Sequence, residues 1–332
     1  MKIENNMKIG ITGATGFIGS HITDKFVEEG HQVFVIARSE SNVSNINKQA
    51  KIINVNLYDI KDLSEKLKEI EIIIHCAGAL FGKNYDYFYK SNVQSTINLI
   101  SALKTNNNFK QFIFISSLTA VGPSKSLEKA VNEESIRKPI TNYGRSKAEA
   151  EEYIESQKDW LNYTIFRLPA VFGPRDKAIY SIFKIANIGL GSLIGFNKKY
   201  LSLVYSQDII NVVNLSINNP VTFKEVFFLS NTKYYSWIQI MDILKKKLNK
   251  KLFVNLRLPH FLVFILGFIN SYFSKIFGIT PIFNVDKARD FTQQYWICDN
   301  TKVREKLKYD NFVNIETAFE ETIKWYKENK WL

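Results

Sequence analysis

Two cysteines, Cys76 and Cys298, are all that a chain of 332 residues contains. So few exclude a disulfide framework, and no Cys/His spacing suits a metal ion. No metal is expected, and the setting reads as the reducing cytoplasm. Long apolar runs are missing too. The longest is FLVFILGFI, Phe261 to Ile269, about half of the roughly 20 residues that a membrane span needs. A glycine motif begins by Gly10, too early to leave room for the apolar region of a secretory signal. Residues 1–6, ahead of Met7, read as a short disordered extension. Acidic residues are the third shortage: 32 Asp and Glu face 44 Lys and Arg, a formal net charge of +12. Such a balance can serve nucleic acid, an anionic membrane or an acidic ligand. The lysines are spread along the chain, however, and no helix-turn-helix, RNA-recognition or finger pattern accompanies them, so no nucleic-acid partner is expected. Their densest run, KKKLNKK (Lys245–Lys251), falls where a helix starting near Trp237 should end, and cations there complement the helix dipole.

What the chain does contain is rhythm. Short apolar runs at 8–12, 32–37, 51–55, 71–76, 111–117 and 163–168 alternate with helical stretches near 17–30, 59–69, 85–106 and 142–158. β-branched runs without in/out alternation suit strands covered by helices on both faces. The expected class is therefore α/β, a doubly wound parallel sheet of the Rossmann kind. After Pro174 the rhythm changes. YLSLV (200–204) and VFFLS (226–230) still read as strands, and segments near 200–230 are expected to return to that sheet. This divides the chain into a dinucleotide-binding domain over 7–173 and a smaller, interleaved substrate domain over 174–332.

GITGATGFIGSH (Gly10–His21) joins the first strand to the first helix, with Gly13, Gly16 and Gly19 three apart. Backbone N–H groups at such a turn can approach a pyrophosphate, and the helix dipole favours its charge. Thr15, Phe17 and Ile18 share the turn and join the three glycines as candidate cofactor contacts. An acidic residue at the end of the second strand would grip the ribose of NAD. Ala37, Arg38 and Ser39 stand there instead; Arg38 can pair with a 2′-phosphate and Ser39 can hydrogen-bond it. NADP(H) is thus favoured over NAD(H).

YGRSK puts Tyr143 and Lys147 four residues apart, on one face of a helix. A neighbouring ammonium lowers a phenol's pKa, which suits Tyr143 to acid/base work at an alcohol or ketone. Ser116 and Ser117 end a strand, where doubly wound sheets bind ligands. Ser117 is the candidate to orient the substrate oxygen.

Taken in order, TGATGFIG (12–19), HCAG (75–78), SNV (91–93), SSLTAVG (116–122), YGRSK (143–147), RLPAVFGPRD (167–176) and VYSQD (204–208) resemble the extended short-chain dehydrogenase/reductases, the NAD-dependent epimerase/dehydratase group. The resemblance covers nearly the whole chain, WYKENKWL (325–332) included. It implies that Gly13, Gly16 and Gly19 hold the pyrophosphate, and that Ala77 and Gly78 line the adenosine and ribose. Asn92 would organise the site and a water-linked proton path. Ser117, Tyr143 and Lys147 would be the catalytic serine, tyrosine and lysine, with Lys147 also binding the nicotinamide ribose. Pro169 and Val171 would edge the nicotinamide pocket, and Arg175 would face the substrate. Leu118 and Thr119 stand where 4,6-dehydratases carry an Asp-Glu pair, and Ala120-Val121-Gly122 where many sugar epimerases read V-Y-G. The form is closer to hydroxysteroid- and dihydroflavonol-type reductases.

The leading expectation is an NAD(P)-dependent oxidoreductase acting on a small-molecule alcohol or ketone. The alternatives are a nucleotide-sugar epimerase holding NAD tightly, and an NADP(H)-sensing protein without chemistry. A homodimer is the expected assembly. His75 reads as a satisfied core histidine, His21 and His31 as surface residues, and Asp208 as a turn-holding residue near the substrate cleft. FLVFILGFINSYFSKIFG (261–278) has no polar face over its first nine residues. Ordinary packing within the smaller domain or at an oligomer interface is the favoured reading, ahead of a lid over a lipophilic substrate or peripheral membrane contact.

Overall fold

A computed structural model describes residues 6–44, 46–281 and 283–332. Most of the extension expected over residues 1–6 therefore lies outside the described residues. Six strands follow one another in the first half: β1 (Lys8–Thr12), β2 (Gln32–Ala37), β3 (Lys51–Asn54), β4 (Ile72–His75), β5 (Gln111–Ser117) and β6 (Tyr163–Leu168). The second half adds β7 (Ala170–Phe172), β8 (Leu190–Ile194), β9 (Tyr200–Tyr205), β10 (Glu225–Phe228), β11 (Tyr234–Ser236), β12 (Val254–Leu258) and β13 (Tyr295–Trp296).

Seven strands build the main sheet in the order β10-β6-β5-β4-β1-β2-β3, every pair parallel. This is the doubly wound order, and its direction reverses between β1 and β4. Successive residues of each strand point to opposite faces, so both faces must be apolar. On one face Ile9, Ile11, Ile72, Ile74, Ile113 and Ile115 pack with Ile22 and Phe26 of the helix Phe17–Glu28. On the other, Ile73, Phe112 and Phe114 pack with Leu99, Leu103 and Ile154 of the helices Ser95–Leu103 and Asn142–Ser156.

The strand expected over 200–204 departs from expectation. It does not return to the main sheet: β9 is the centre of a second one, pairing with β7, β11 and β13. β10 does join the main sheet, beside β6. A continuous apolar run marks a buried strand but carries no information about its partner, and β9's lie up to 95 residues away, as in Tyr200↔Tyr295. β8 and β12 form a separate parallel pair. The smaller lobe has its own core, where Phe172, Phe183, Phe319 and Tyr326 pack with Ile240 and Leu244.

Candidate active site

The site is assembled where the strand order reverses. β1 ends at Thr12, and Gly13 turns the chain with φ +71°. A Cβ at Gly13 would stand 2.6 Å from the Ala77 nitrogen, and one at Gly19 would stand 2.3 Å from the Gly13 carbonyl oxygen. Those two glycines are required by packing within the protein. Gly16 differs: it is exposed, and a Cβ there would meet only the Gly13 oxygen, at 3.2 Å. Gly16 is also the N-cap of helix Phe17–Glu28, with no side-chain cap and no acidic residue in the first turn. The turn thus offers an open approach to uncapped N–H groups and a positive helix end, which fits a pyrophosphate.

Asn92 lies in a π-helical turn, Tyr89–Gln94, that interrupts the helix expected over 85–106. Wide turns of this kind re-aim side chains. Asn92 Oδ1 accepts from the Ala79 N–H at 2.6 Å, and Nδ2 donates to Ala79 O at 3.1 Å and Ser146 Oγ at 2.8 Å. It therefore ties the loop after β4 to the helix that carries Tyr143. A Cβ on Gly78 would fall 2.9 Å from Asn92 Oδ1 and 3.7 Å from Lys147 Nζ, so Gly78, Asn92 and Lys147 share one small volume.

His75 supports this arrangement from below. It is fully buried, with Nδ1 2.6 Å from Thr12 Oγ1 and Nε2 3.0 Å from Thr96 Oγ1. The Ala77 N–H donates to Thr12 Oγ1, and Thr96 Oγ1 donates to the Asn92 carbonyl. The Thr96 hydroxyl proton is thereby used, so it accepts from Nε2–H and Thr12 donates to Nδ1. Burial, then the Lys147 charge, holds the imidazole pKa down at about 3. His75 is a neutral core histidine, linking the cradle to the Asn92 turn.

Ser117 ends β5. Its Oγ accepts from the Thr119 N–H at 3.2 Å and the Thr119 hydroxyl at 2.8 Å, leaving its own proton to give. Burial pushes the Tyr143 phenol up to about 12; the neighbouring Ser117 hydroxyl opposes that rise and the Asp290 charge adds to it. Lys147 does not enter this balance. Its Nζ donates to the Ile115 carbonyl at 2.8 Å and lies 4.3 Å from the Phe114 ring centroid. Burial brings Lys147 down to about 8. Its ammonium is turned to the end of β5, so burial, Ser117 and Asp290 set the phenol's balance in this geometry.

A cleft in front of Tyr143 is lined by Leu80, Phe81 and Phe88 on one side and by Asp286, Lys287 and Asp290 on the other. The last three belong to the helix Val285–Thr292, which sequence reasoning passed over. Asp286 accepts the Asn142 N–H at 2.8 Å, at the N-terminus of the Tyr143 helix. Beneath the site, buried Glu151 accepts from Arg167 at 2.7 Å, from Arg137 at 3.0 Å and from Ser116. Lys147 and Glu151 are one turn apart, so this ion-pair cluster anchors the helix that carries the tyrosine. The helix Val285–Thr292 belongs to no recognisable motif, nor do Glu151 and Arg137, although Ser116 and Arg167 stand at the start of SSLTAVG and RLPAVFGPRD. The one signal in the sequence was the return of acid in VDKARD after a long basic stretch.

Other candidates lie further out. Arg38 follows β2, exposed and 3.4 Å from Glu40, with Ser39 exposed beside it. Pro169 follows Leu168, which pairs with Ser117, and half-buried Val171 packs on the core. Arg175 does not face the cleft. With φ +69° it turns to the first helix, reaching Asp24 at 2.7 Å and Ser20 at 3.3 Å. Nor does Asp208 hold a turn by the cleft; it receives the Tyr309 hydroxyl at 2.8 Å and the Val313 N–H at 3.1 Å. His21 and His31 are half-buried rather than surface residues, His21 reaching the Pro174 carbonyl at 2.8 Å.

Comparison with known proteins bears directly on this site. The profile of the NAD dependent epimerase/dehydratase family matches residues 9–227. The sterol-4-alpha-carboxylate 3-dehydrogenase (decarboxylating) of Dictyostelium discoideum is 25% identical over 94% of this chain and 98% of its own. The N-acetyl-alpha-D-glucosaminyl-diphospho-ditrans,octacis-undecaprenol 4-epimerase of Escherichia coli O157:H7 is 25% identical over 82% of each chain. Among solved structures, the UDP-glucose 4-epimerase of Thermotoga maritima superposes with a TM-score of 0.80 at 24% identity, covering 98% of this chain and all of the other.

Proposed function

The chain belongs to the NAD dependent epimerase/dehydratase family of short-chain dehydrogenase/reductase enzymes, and from that premise we propose that it is an NAD(P)-dependent oxidoreductase reducing a ketone, or oxidising a secondary alcohol, with Tyr143 as acid/base. The observation that carries the reading is the placement of Tyr143 beside Ser117, in a cleft that adjoins the Gly13–Gly19 cradle through Gly78, Asn92 and Lys147.

The dinucleotide, when bound, supplies or takes the hydride. Gly16 and the uncapped helix end would receive its pyrophosphate, and Lys147 its ribose hydroxyls. In the reductive direction Ser117 donates a hydrogen bond to the carbonyl oxygen and holds it beside Tyr143. As the substrate carbon gains hydride, that oxygen gains the Tyr143 proton, and ketone becomes alcohol. A phenol pushed up to about 12 is protonated at neutral pH, the correct state for this acid role. Phe81 and Phe88 keep water from the reacting oxygen.

Arg38 and Ser39, with no carboxylate at the end of β2, support NADP(H) as the dinucleotide used. Free Cys76 and Cys298 fit a cytoplasmic setting. A second reading, epimerisation of a diphosphate-linked sugar (a sugar nucleotide included) without net redox, is favoured by the activity of the E. coli relative, which epimerises a sugar carried on undecaprenyl diphosphate. One assay separates the two: purified protein with NADPH or NADH, against panels of ketones and of UDP-sugars. Consumption of NADPH with a ketone supports the oxidoreductase. Interconversion of UDP-sugars with no change in nicotinamide absorbance overturns it.

A further inference from the structure

The helix His260–Ile276 is inside out. Its buried residues are Val263, Gly267 and Ser274. A Cβ on Gly267 would stand 3.0 Å from the Asn284 carbonyl carbon and oxygen, and Asn270 and Ser271 commit their polar groups to the carbonyls of Phe283 and Gly267. These positions make one stripe at helical spacing, and that stripe faces the protein. The apolar residues point the other way: Phe261 is 62% exposed, Phe268 64% and Phe277 70%. Helices of water-soluble surfaces carry the reverse pattern. The packing expected for this stretch is therefore absent on most of its circumference.

The exposed apolar surface continues beyond the helix. β12, which leads into it, exposes Val254 and Leu256, and Leu252 before it is 79% exposed. Phe196, after β8, is 71% exposed. Scattered apolar residues on a surface are ordinary, but a contiguous patch marks a binding face.

The chain segments that supply this face carry charge of one sign. No Asp or Glu occurs between Asp176 and Asp208, or between Asp242 and Asp286, the two segments that supply β8, β12 and the helix. The first holds four lysines, and the second holds six lysines and Arg257. They stand among the exposed apolar residues, as Lys198 does by Phe196, Lys251 by Leu252 and Lys275 by Phe277. Two of them are paired elsewhere, Lys247 with Glu320 and Lys246 with Glu316. A two-fold contact with a second copy would set these lysines against those of its partner. Seventeen helical residues span about 25 Å, short of the hydrocarbon thickness of about 30 Å, and no helix among the described residues is long and apolar enough to cross a membrane.

We propose that the helix His260–Ile276, with β12 and the Phe196 loop, docks in the plane of an anionic lipid bilayer, apolar side chains entering the interface and the surrounding lysines meeting the headgroups. The inference stands apart from the reaction proposed above. Its geometric consequence is that the docked face adjoins the cleft, because this helix packs on Val285–Thr292, which carries Asp286 and Asp290, and Lys83 reaches Gly278 at its end.

The test is flotation of the full chain with phosphatidylcholine vesicles, with and without phosphatidylglycerol. Binding is expected only to the anionic vesicles, weakening as salt rises. Phe268→Asp with Phe273→Asp should lower it at least tenfold while the thermal midpoint is unchanged, since both side chains are exposed. Lys250→Glu with Lys251→Glu should lower it by about 25-fold, at roughly fivefold per lysine. Failure to bind anionic vesicles overturns the proposal. So does equal binding to neutral vesicles, or a dimer that the Phe268→Asp, Phe273→Asp variant converts to monomer without any vesicle binding.

Discussion

Lowering the pH should cost this protein stability at His75. The ring is fully buried and neutral, with Nδ1 taking the Thr12 proton and Nε2–H bound to Thr96. Its folded pKa is depressed from 6.5 to about 3. The sign follows from linkage: below 6.5 the unfolded chain binds a proton that the folded chain refuses, so stability is full above that value and falls as the pH drops towards 3. At pH 5 the loss is 1.5 units at 1.36 kcal/mol each, about 2 kcal/mol. Equilibrium urea unfolding of the wild type and of His75→Asn, at about pH 7.5 and pH 5, isolates this contribution, because other titrating groups act alike in both proteins. The Asn variant starts less stable, having lost the bonds to both threonines. The gap between the two proteins should narrow by about 2 kcal/mol on going to pH 5. A gap that does not change with pH would refute the reasoning, since it would mean that the folded state accepts the proton on His75.

The cradle makes a second contrast. Gly19→Ala drives a Cβ to 2.3 Å from backbone, so it should destabilise the fold by several kcal/mol and abolish dinucleotide binding; Gly16→Ala, with only a 3.2 Å contact, should fold normally yet bind dinucleotide at least tenfold more weakly by calorimetry. Arg38→Ala should raise the KM for NADPH about tenfold, the loss of one charge-assisted contact, and leave that for NADH near its starting value. Glu151→Gln strands Arg167 and weakens the Arg137 contact; the expected cost is about 3–5 kcal/mol in urea unfolding, with KM for substrate little altered in the fraction that stays folded.

The first half of the chain was readable because its signals are local. Each strand of the main sheet is a short apolar run, and the turn after β1 declares itself by three glycines whose spacing the strand and helix explain. Ser117 and Tyr143 could be named because strand ends and i,i+4 faces follow from the sequence. What stayed hidden depends on partners far along the chain. β9 could not be assigned to a sheet, since its neighbours β7, β11 and β13 are chosen by tertiary packing. The motif around Arg175 points to the substrate side, but Asp24, 151 positions earlier, takes its guanidinium. Asp286 and Asp290 enter the cleft on a helix with no motif of its own. The apolar run at 261–269 was visible, yet its outward orientation follows from where Gly267 and Ser274 make contact, and periodicity alone does not decide that.

The central claim is that Tyr143 moves the proton while other residues hold the dinucleotide, and Tyr143→Phe tests it most directly. Turnover with the best ketone of the panel and NADPH should fall by about 10²–10⁴-fold, the range for loss of a general acid, while the dissociation constant for NADPH, measured by fluorescence titration, stays within about threefold of wild type. A Tyr143→Phe variant that turns over at the wild-type rate would contradict the account.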